Sequence, residues 1–290
     1  MEHQVADGAA QDPSFTAMWH AWMRNAHATT HPSPVYADTR SVQLVPEATI
    51  QDVKNLMEGF STDTADALIL MAVVRYRVFA DRLLEAGERG IQQLVILGAG
   101  LDTTAYSLPS FAQNWRVFEV DHPATQEWKR RELAKMGWEM PSNRVFAPCD
   151  FETQKLFDAL AAVGFDRALP AMVSLFGVVL YLTADSTRAL LADLAGLAPG
   201  SEVVISYSPP PDGLDPVVQQ VWDKSSPKVD QTGESFIGHY TPARIQGLVT
   251  EAGFSEVIHY SVDDLNAEYF PDRPDGLRLH SIEQLVIALC

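Results

Sequence analysis

Apolar positions near the start of the chain recur at helical spacing. Phe15, Met18, Trp19, Trp22 and Met23 fall at i, i+3, i+4, i+7 and i+8, one stripe of an amphipathic helix. The stretch "TTHPSPVYADT" then breaks helix with its prolines. Gln51 to Leu84 predicts two more helices, the second holding "ADALILMAVVRYRVFADRLLEAG" and stopping near Gly87 or Gly90. Beyond that point short apolar runs alternate with helical stretches. "QLVILG", "RVFEVD" and "RVFAPCD" predict three strands, "AMVSLFGVVLYL" contains a fourth, and "SEVVISYS" is a fifth. Helices intervene at "QEWKRRELAKMG", "QKLFDALAAVG" and "STRALLADLAGLAPG". Strands alternating with helices predict a doubly wound α/β domain around a parallel sheet. After Pro209 the regularity lapses: "PPPDGLDP" predicts a turn-rich loop, "TPARIQGLVTEAGF" a capped helix and "QLVIALC" a final strand. The front, residues 1–66, is expected to be a helical cap, and residues 67–290 the α/β domain. The polar residues 1–13 are expected to be frayed.

Composition narrows what such a chain does. It has 290 residues, 47% of them apolar and 20% charged, the make-up of a soluble globular protein. A formal charge of −17 argues against nucleic acid or an anionic membrane surface as a partner, since both need clustered Lys and Arg. Two cysteines, Cys149 and Cys290, are too few for a disulfide framework or a structural zinc site, which fits a reducing cytoplasm. The polar, acidic start does not read as a signal peptide. His27 and His31 are four apart, but the second sits in "TTHPSP", which cannot continue a helix, so no metal site is expected there.

The junction "LVILGAGLDTTAYSLP", Leu94 to Pro109, carries the chemistry. In open α/β sheets a ligand lies beyond the carboxyl ends of the strands, at the first strand-to-helix turn. Gly98, Ala99 and Gly100 form a turn whose two glycines let the backbone bend sharply and approach a ligand. A dinucleotide fingerprint wants a third glycine where this chain has Asp102 and Thr103, which the pattern predicts to open a helix. A carboxylate there would repel a pyrophosphate and suits a ligand with a positive end. Asp121 ends the second strand 23 residues after Gly98, the distance at which an acidic residue meets ribose hydroxyls. Glu119 points to the same side two residues earlier. His122 follows in the loop above. Asp150 and Phe151 close the third strand, placed to accept from an adenine amino group and to lie against its ring. A nucleoside with an amino-acid tail and no phosphate is S-adenosylmethionine.

"LVILGAGLDTTAYSLP", "VFEVDHP" and "GVVLYLTADSTRALLADL" resemble the leucine carboxyl methyltransferase family, and more closely its bacterial branch of small-molecule O-methyltransferases. The similarity runs from about Ala67 to the C-terminus. It implies a class I methyltransferase fold, a Rossmann-like sheet of seven strands with the cofactor over the first two. It also implies that Arg75 pairs with the cofactor carboxylate, with Arg77 the near alternative; a guanidinium grips a carboxylate bidentately. The family places Glu or Gln before the fourth-strand glycine, and this chain departs from it with Phe176. Family members use N-terminal helices as lids, so Trp19 and Trp22 are candidates to cover an apolar substrate, and Tyr181 to line the pocket. No catalytic residue is assigned, because no Ser-His-Asp, Cys-His or metal constellation is offered. The expected reaction is transfer of a methyl group to a carboxyl or hydroxyl of a small, fairly apolar metabolite in secondary metabolism. A C- or N-methyltransferase, a protein-directed methyltransferase and a non-catalytic nucleoside-binding protein remain as alternatives.

Overall fold

The computed structural model describes residues 14–212, 215–231 and 234–290. The expected frayed start, residues 1–13, and residues 213–214 of the turn-rich loop lie outside them. The chain opens with α1 (Phe15–Thr30), α2 (Glu47–Glu58) and α3 (Thr62–Glu88). Ser14 caps α1 and Ser61 caps α3, each side chain accepting from a backbone N–H of the first turn that has no partner within the helix. Then follow β1 (Gln93–Leu97), β2 (Arg116–Asp121), α4 (Pro123–Lys135), β3 (Arg144–Pro148), α5 (Leu156–Ala162) and β4 (Met172–Leu175). The rest is α6 (Ala184–Ala195), β5 (Glu202–Tyr207), α7 (Pro216–Gln231), α8 (Pro242–Ala252), β6 (Glu256–Tyr260), α9 (Val262–Tyr269) and β7 (Gln284–Leu289).

The seven strands form one sheet in the order β3-β2-β1-β4-β5-β7-β6. β1 to β5 run parallel, and β7 inserts antiparallel between β5 and β6. This is the doubly wound, seven-stranded sheet that the resemblance implied. Side chains alternate across it with the period of a strand. Val95, Leu97, Phe118, Val120 and Leu175 pack on one face with Leu160, Leu190 and Leu248 of α5, α6 and α8. Leu94, Ile96, Val117 and Met172 pack on the other with Leu70, Val73 and Val74 of α3. The order reverses between β1 and β4, so their carboxyl ends flank a crevice.

Four features differ from the sequence expectations. The helix expected at Asp102 and Thr103 is a single tight turn, Thr104–Tyr106, because the Asp102 carboxylate accepts from the Thr104 N–H at 2.6 Å. The fourth strand stops at Leu175; Tyr181 lies beyond it in a short turn, Val179–Tyr181, after Gly177 reverses the chain at φ +63°. α7, β6 and α9 were not anticipated: α7 carries Pro227 inside it, and β6 is an edge strand without a fully buried position. Lastly, α3 begins at Thr62, so the boundary expected at residue 66 falls inside a helix that serves both halves.

Glu119 is buried in a cluster of charges rather than presented to a ligand. Its Oε2 accepts from Lys129 Nζ at 2.8 Å and from Arg144 Nη2 at 2.6 Å. Lys129, also buried, donates to the Asp102 carbonyl at 2.6 Å and to the Ala99 carbonyl at 3.4 Å. The Arg144 guanidinium lies over the rings of Phe146, at 4.4 Å, and Tyr106, at 4.8 Å. Burial pushes the Lys129 ammonium below its ordinary range, against the pull of Glu119. Removing one partner of such a buried set strands the others. Lys129→Ala is expected to lower stability by about 3–5 kcal/mol, checked by denaturant unfolding, and a loss within experimental error would refute the assignment.

Candidate active site

A cavity of about 700 Å³ opens at the carboxyl ends of β1, β2 and β4, roofed by α1, α3 and α7. Its floor is the glycine turn. Gly98 stands at φ +64°, and a Cβ there would lie 2.2 Å from a methyl of Val178. Gly100, at φ +36°, would bring its Cβ within 3.4 Å of Ala17 in α1. Side chains are therefore excluded at both positions, by backbone geometry and, at Gly98, by a neighbour across the crevice.

Acidic groups surround this turn. Asp121 Oδ2 accepts from the Gly100 N–H and its Oδ1 from the His122 N–H at 2.6 Å. Burial raises the Asp121 carboxyl, while those two N–H groups hold it down. Asp102 is buried and lines the same cavity. Asp150 lines it too, at the end of β3, its carboxylate also accepting from the Glu152 N–H at 3.0 Å and from Thr153 Oγ1 at 2.8 Å. Ala99, His122, Phe151 and Phe176 complete this end. His122 also caps α4, its Nδ1 accepting from the Ala124 N–H.

The sequence-predicted residues are not all brought together. Glu119 is committed to Lys129 and Arg144 and does not face the cavity, because a carboxylate beneath the sheet's end meets two cations before any ligand. Thr103 is buried beside the turn without lining the cavity. Trp19 lines it, with its indole N–H donating to Met57 Sδ; Trp22 instead packs among the front helices. Tyr181 lines the cavity. Arg77 does not: it is about half exposed and paired with Asp81, four residues on.

Arg75 lines the cavity and is held by partners that the sequence did not announce. Its Nη1 donates to both oxygens of Glu283, at 2.9 and 3.1 Å, and its Nη2 meets His20 Nδ1 at 2.8 Å. Its Nε is buried without a partner among the described residues. Burial, with Arg75 and Arg24 nearby, holds His20 well below the ordinary histidine range, so the imidazole is neutral and Nδ1 accepts. Phe176 packs edge-on against Tyr76, 5.5 Å away, and Phe79, 5.6 Å away, and lies 5.7 Å from the Arg75 guanidinium. Where the resemblance implied a polar side chain, this chain builds an aromatic cluster, and Glu283 brings a carboxylate to Arg75 from the loop before β7. Only the position of Glu283 ahead of the last strand hinted at it.

The far end of the cavity is apolar with a polar corner. Met71 of α3, Val221 and Trp222 of α7, and Phe236 form walls. The Phe236 ring lies 5.5 Å from Tyr181 and 5.7 Å from Trp222. In the corner Tyr181 Oη meets Thr16 Oγ1 at 2.6 Å, and Glu234 Oε2 accepts from Thr16 Oγ1 at 3.1 Å and Ser14 Oγ at 2.9 Å. The N–H groups of Ile237 and Gly238 both donate to the Leu180 carbonyl at 2.9 Å, docking this loop on the turn that carries Tyr181. A Cβ at Gly238 would fall 1.8 Å from the Val179 carbonyl oxygen.

Residues 17–195, more than half of the chain, match the family model described as leucine carboxyl methyltransferase. A Bacillus subtilis protein is 28% identical over 291 residues, covering 92% of this chain and 94% of its own length; its name describes a putative S-adenosyl-L-methionine-dependent methyltransferase. A Mycobacterium tuberculosis protein with a name of the same kind is 35% identical over 193 residues, 66% of this chain and 63% of its own length. Among solved structures, a putative methyltransferase from Thermobifida fusca superposes with a TM-score of 0.62 at 20% identity, over 96% of this chain and 95% of its own. A DUF574 family protein from Streptomyces avermitilis also gives 0.62, at 16% identity, over 96% of this chain and 98% of its own. The glycine turn and the sheet order agree with these matches: the chain belongs to the leucine carboxyl methyltransferase family and is a methyltransferase with the class I fold.

Proposed function

We propose that this chain moves a methyl group from S-adenosylmethionine to an oxygen, carboxyl or hydroxyl, of a small and fairly apolar acceptor. The observation that carries the reading is one cavity with two ends, a carboxylate-rich end over the glycine turn and an apolar end under α1 and α7. The first end fits the donor by the chemistry of its groups. Gly98 and Gly100 leave space for a ligand against the backbone, Asp121 offers a carboxylate to ribose hydroxyls, and Phe151 offers a ring face to adenine. Asp102 suits an ammonium, and Arg75, with its unpartnered Nε, suits a carboxylate. Among the described residues no phosphate-binding feature of this cavity competes with this set, since a pyrophosphate would face Asp102 and Asp121. The reading extends to secondary metabolism by analogy of fold alone.

When bound, S-adenosylmethionine supplies an electrophilic methyl on a positively charged sulfur. The protein then has two tasks, to line up the acceptor oxygen behind that methyl and to keep water out. Trp19, Met71 and Val221 line the apolar end and shed water. The carboxylates around the glycine turn favour the charged donor over its neutral product.

Titration calorimetry should show binding of S-adenosylmethionine and S-adenosylhomocysteine and none of NAD. Asp121→Ala should weaken the donor by about 1–3 kcal/mol, roughly 5- to 150-fold; unchanged affinity would remove Asp121 from the ribose. Arg75→Ala should cost at least as much, since it also leaves Glu283 buried without its cation, whereas Arg77→Ala should bind like the parent. The reverse order of the two arginine variants would show that the wrong one has been assigned.

A further inference from the structure

We propose that the acceptor is a neutral aryl alcohol, and that its hydroxyl proton leaves through Tyr181 and Thr16 to Glu234, so the apolar end selects a phenolic oxygen over a carboxylate. This rests on the methyl-donor reading above and narrows it to one acceptor class.

The relay takes its direction from Glu234, the one group in the polar corner that only accepts. An ionised carboxylate only accepts, and the hydroxyls of Ser14 and Thr16, 2.7 Å from each other, both reach Glu234 Oε2, at 2.9 and 3.1 Å. In the relay the Thr16 proton goes to Glu234, and the tyrosine proton makes the 2.6 Å contact between Tyr181 Oη and Thr16 Oγ1. The lone pairs of Tyr181 Oη are then left to accept from a donor in the cavity that its ring lines. Burial holds the Tyr181 phenol far above its usual range, so it remains a protonated link rather than a free phenolate. A hydroxyl acceptor fills this place, and a carboxylate, with no proton to give, does not.

Charge leads to the same choice. The arginines lining the cavity each face a carboxylate, Arg24 with Asp38 at 2.9 Å and Arg75 with Glu283 at 2.9 Å, and the remaining Arg75 Nε is assigned to the donor. His20 is neutral. Glu234 has no cation within ion-pair distance among the described residues, and its partners are hydroxyls. An anionic acceptor would therefore meet carboxylates without a free counter-charge, at a cost that grows as water is excluded. The rings of Tyr181, Phe236 and Trp222 give the walls to which a flat aromatic body packs. A phenol also releases its proton far more readily than an aliphatic alcohol.

The step balances within the site. The acceptor oxygen forms its bond to the methyl carbon as the sulfur–carbon bond breaks, and that electron pair stays on sulfur. The acceptor proton passes to Tyr181 Oη, the tyrosine proton to Thr16 Oγ1, and the threonine proton to Glu234 Oε2. Glu234 ends as a carboxylic acid and returns the proton to solvent after release.

Matched probes test this: 2-naphthol and 2-naphthoic acid, which share a ring system, each supplied with S-adenosylmethionine. The expected result is the methyl ether from 2-naphthol without the methyl ester from 2-naphthoate. Tyr181→Phe, Thr16→Val and Glu234→Gln should each lower kcat on 2-naphthol by about 10²-fold or more while calorimetry shows unchanged affinity for S-adenosylhomocysteine. The loss should shrink for 6-cyano-2-naphthol, a more acidic naphthol that still arrives neutral near pH 7; a merely structural defect would slow both naphthols alike. Ester formation at a comparable rate, full activity in the variants, or no binding of 2-naphthol to the S-adenosylhomocysteine complex would overturn the proposal. Failure of S-adenosylhomocysteine itself to bind would overturn the donor reading, and this one with it, by a result distinct from all the others.

Discussion

A buried ammonium fixes the floor of the active site. Lys129 reaches from α4 beneath the glycine turn, takes the carbonyls of Ala99 and Asp102, and shares Glu119 with Arg144. A lone charge at that depth would be prohibitively costly, so the arrangement persists only as a set. In return the turn is clamped from below, while Asp121 takes the Gly100 N–H from the side. The clamp leaves the upper face of the turn to a ligand. It also explains why Glu119 and Asp121, two residues apart on one face of β2, have unlike tasks: the inner carboxylate meets cations and the outer one meets the cavity.

Above this floor the protein arranges charge with economy. Asp102, Asp121, Asp150, Glu234 and Glu283 all line one cavity, in a chain whose formal charge is −17. Its two arginines already face a carboxylate each, Asp38 and Glu283, and Arg75 keeps only its Nε for a ligand. Such a cavity attracts cations and neutral molecules and repels anions, which suits a sulfonium donor.

Much of this was legible in the sequence because strong local signals coincide with it. Apolar runs marked β1 to β5 and β7, and the glycine pair with Asp121 marked the crevice, since a tight turn and a strand-end carboxylate have short-range signatures. What was illegible depends on long-range partners. Glu119 reads as a ligand until Lys129 and Arg144 are seen beside it. Thr103 and Trp22 have the right type and spacing but face away from the cavity. The Arg75–Glu283 pair spans 208 positions, and the contact of Thr16 with Glu234 spans 218; neither leaves a local pattern. β6 was missed because an edge strand buries too little to show an apolar run, and α7 because Pro227 reads as a helix breaker. Phe176 reads from the sequence as a departure from the family pattern, and its packing with Tyr76 and Phe79 depends on residues about a hundred positions away.

The docking of Ile237 and Gly238 on the Leu180 carbonyl bears on how this scaffold diversifies. With no room for a side chain at Gly238, that loop is welded to the turn holding Tyr181 and cannot drift alone. New acceptor preferences then fall to the opposite wall, where α7 presents Val218, Val221, Trp222 and Ser225 to the cavity away from the donor end. Molecules of differing shape would be accommodated by remodelling one wall, while the opposite wall is inherited intact.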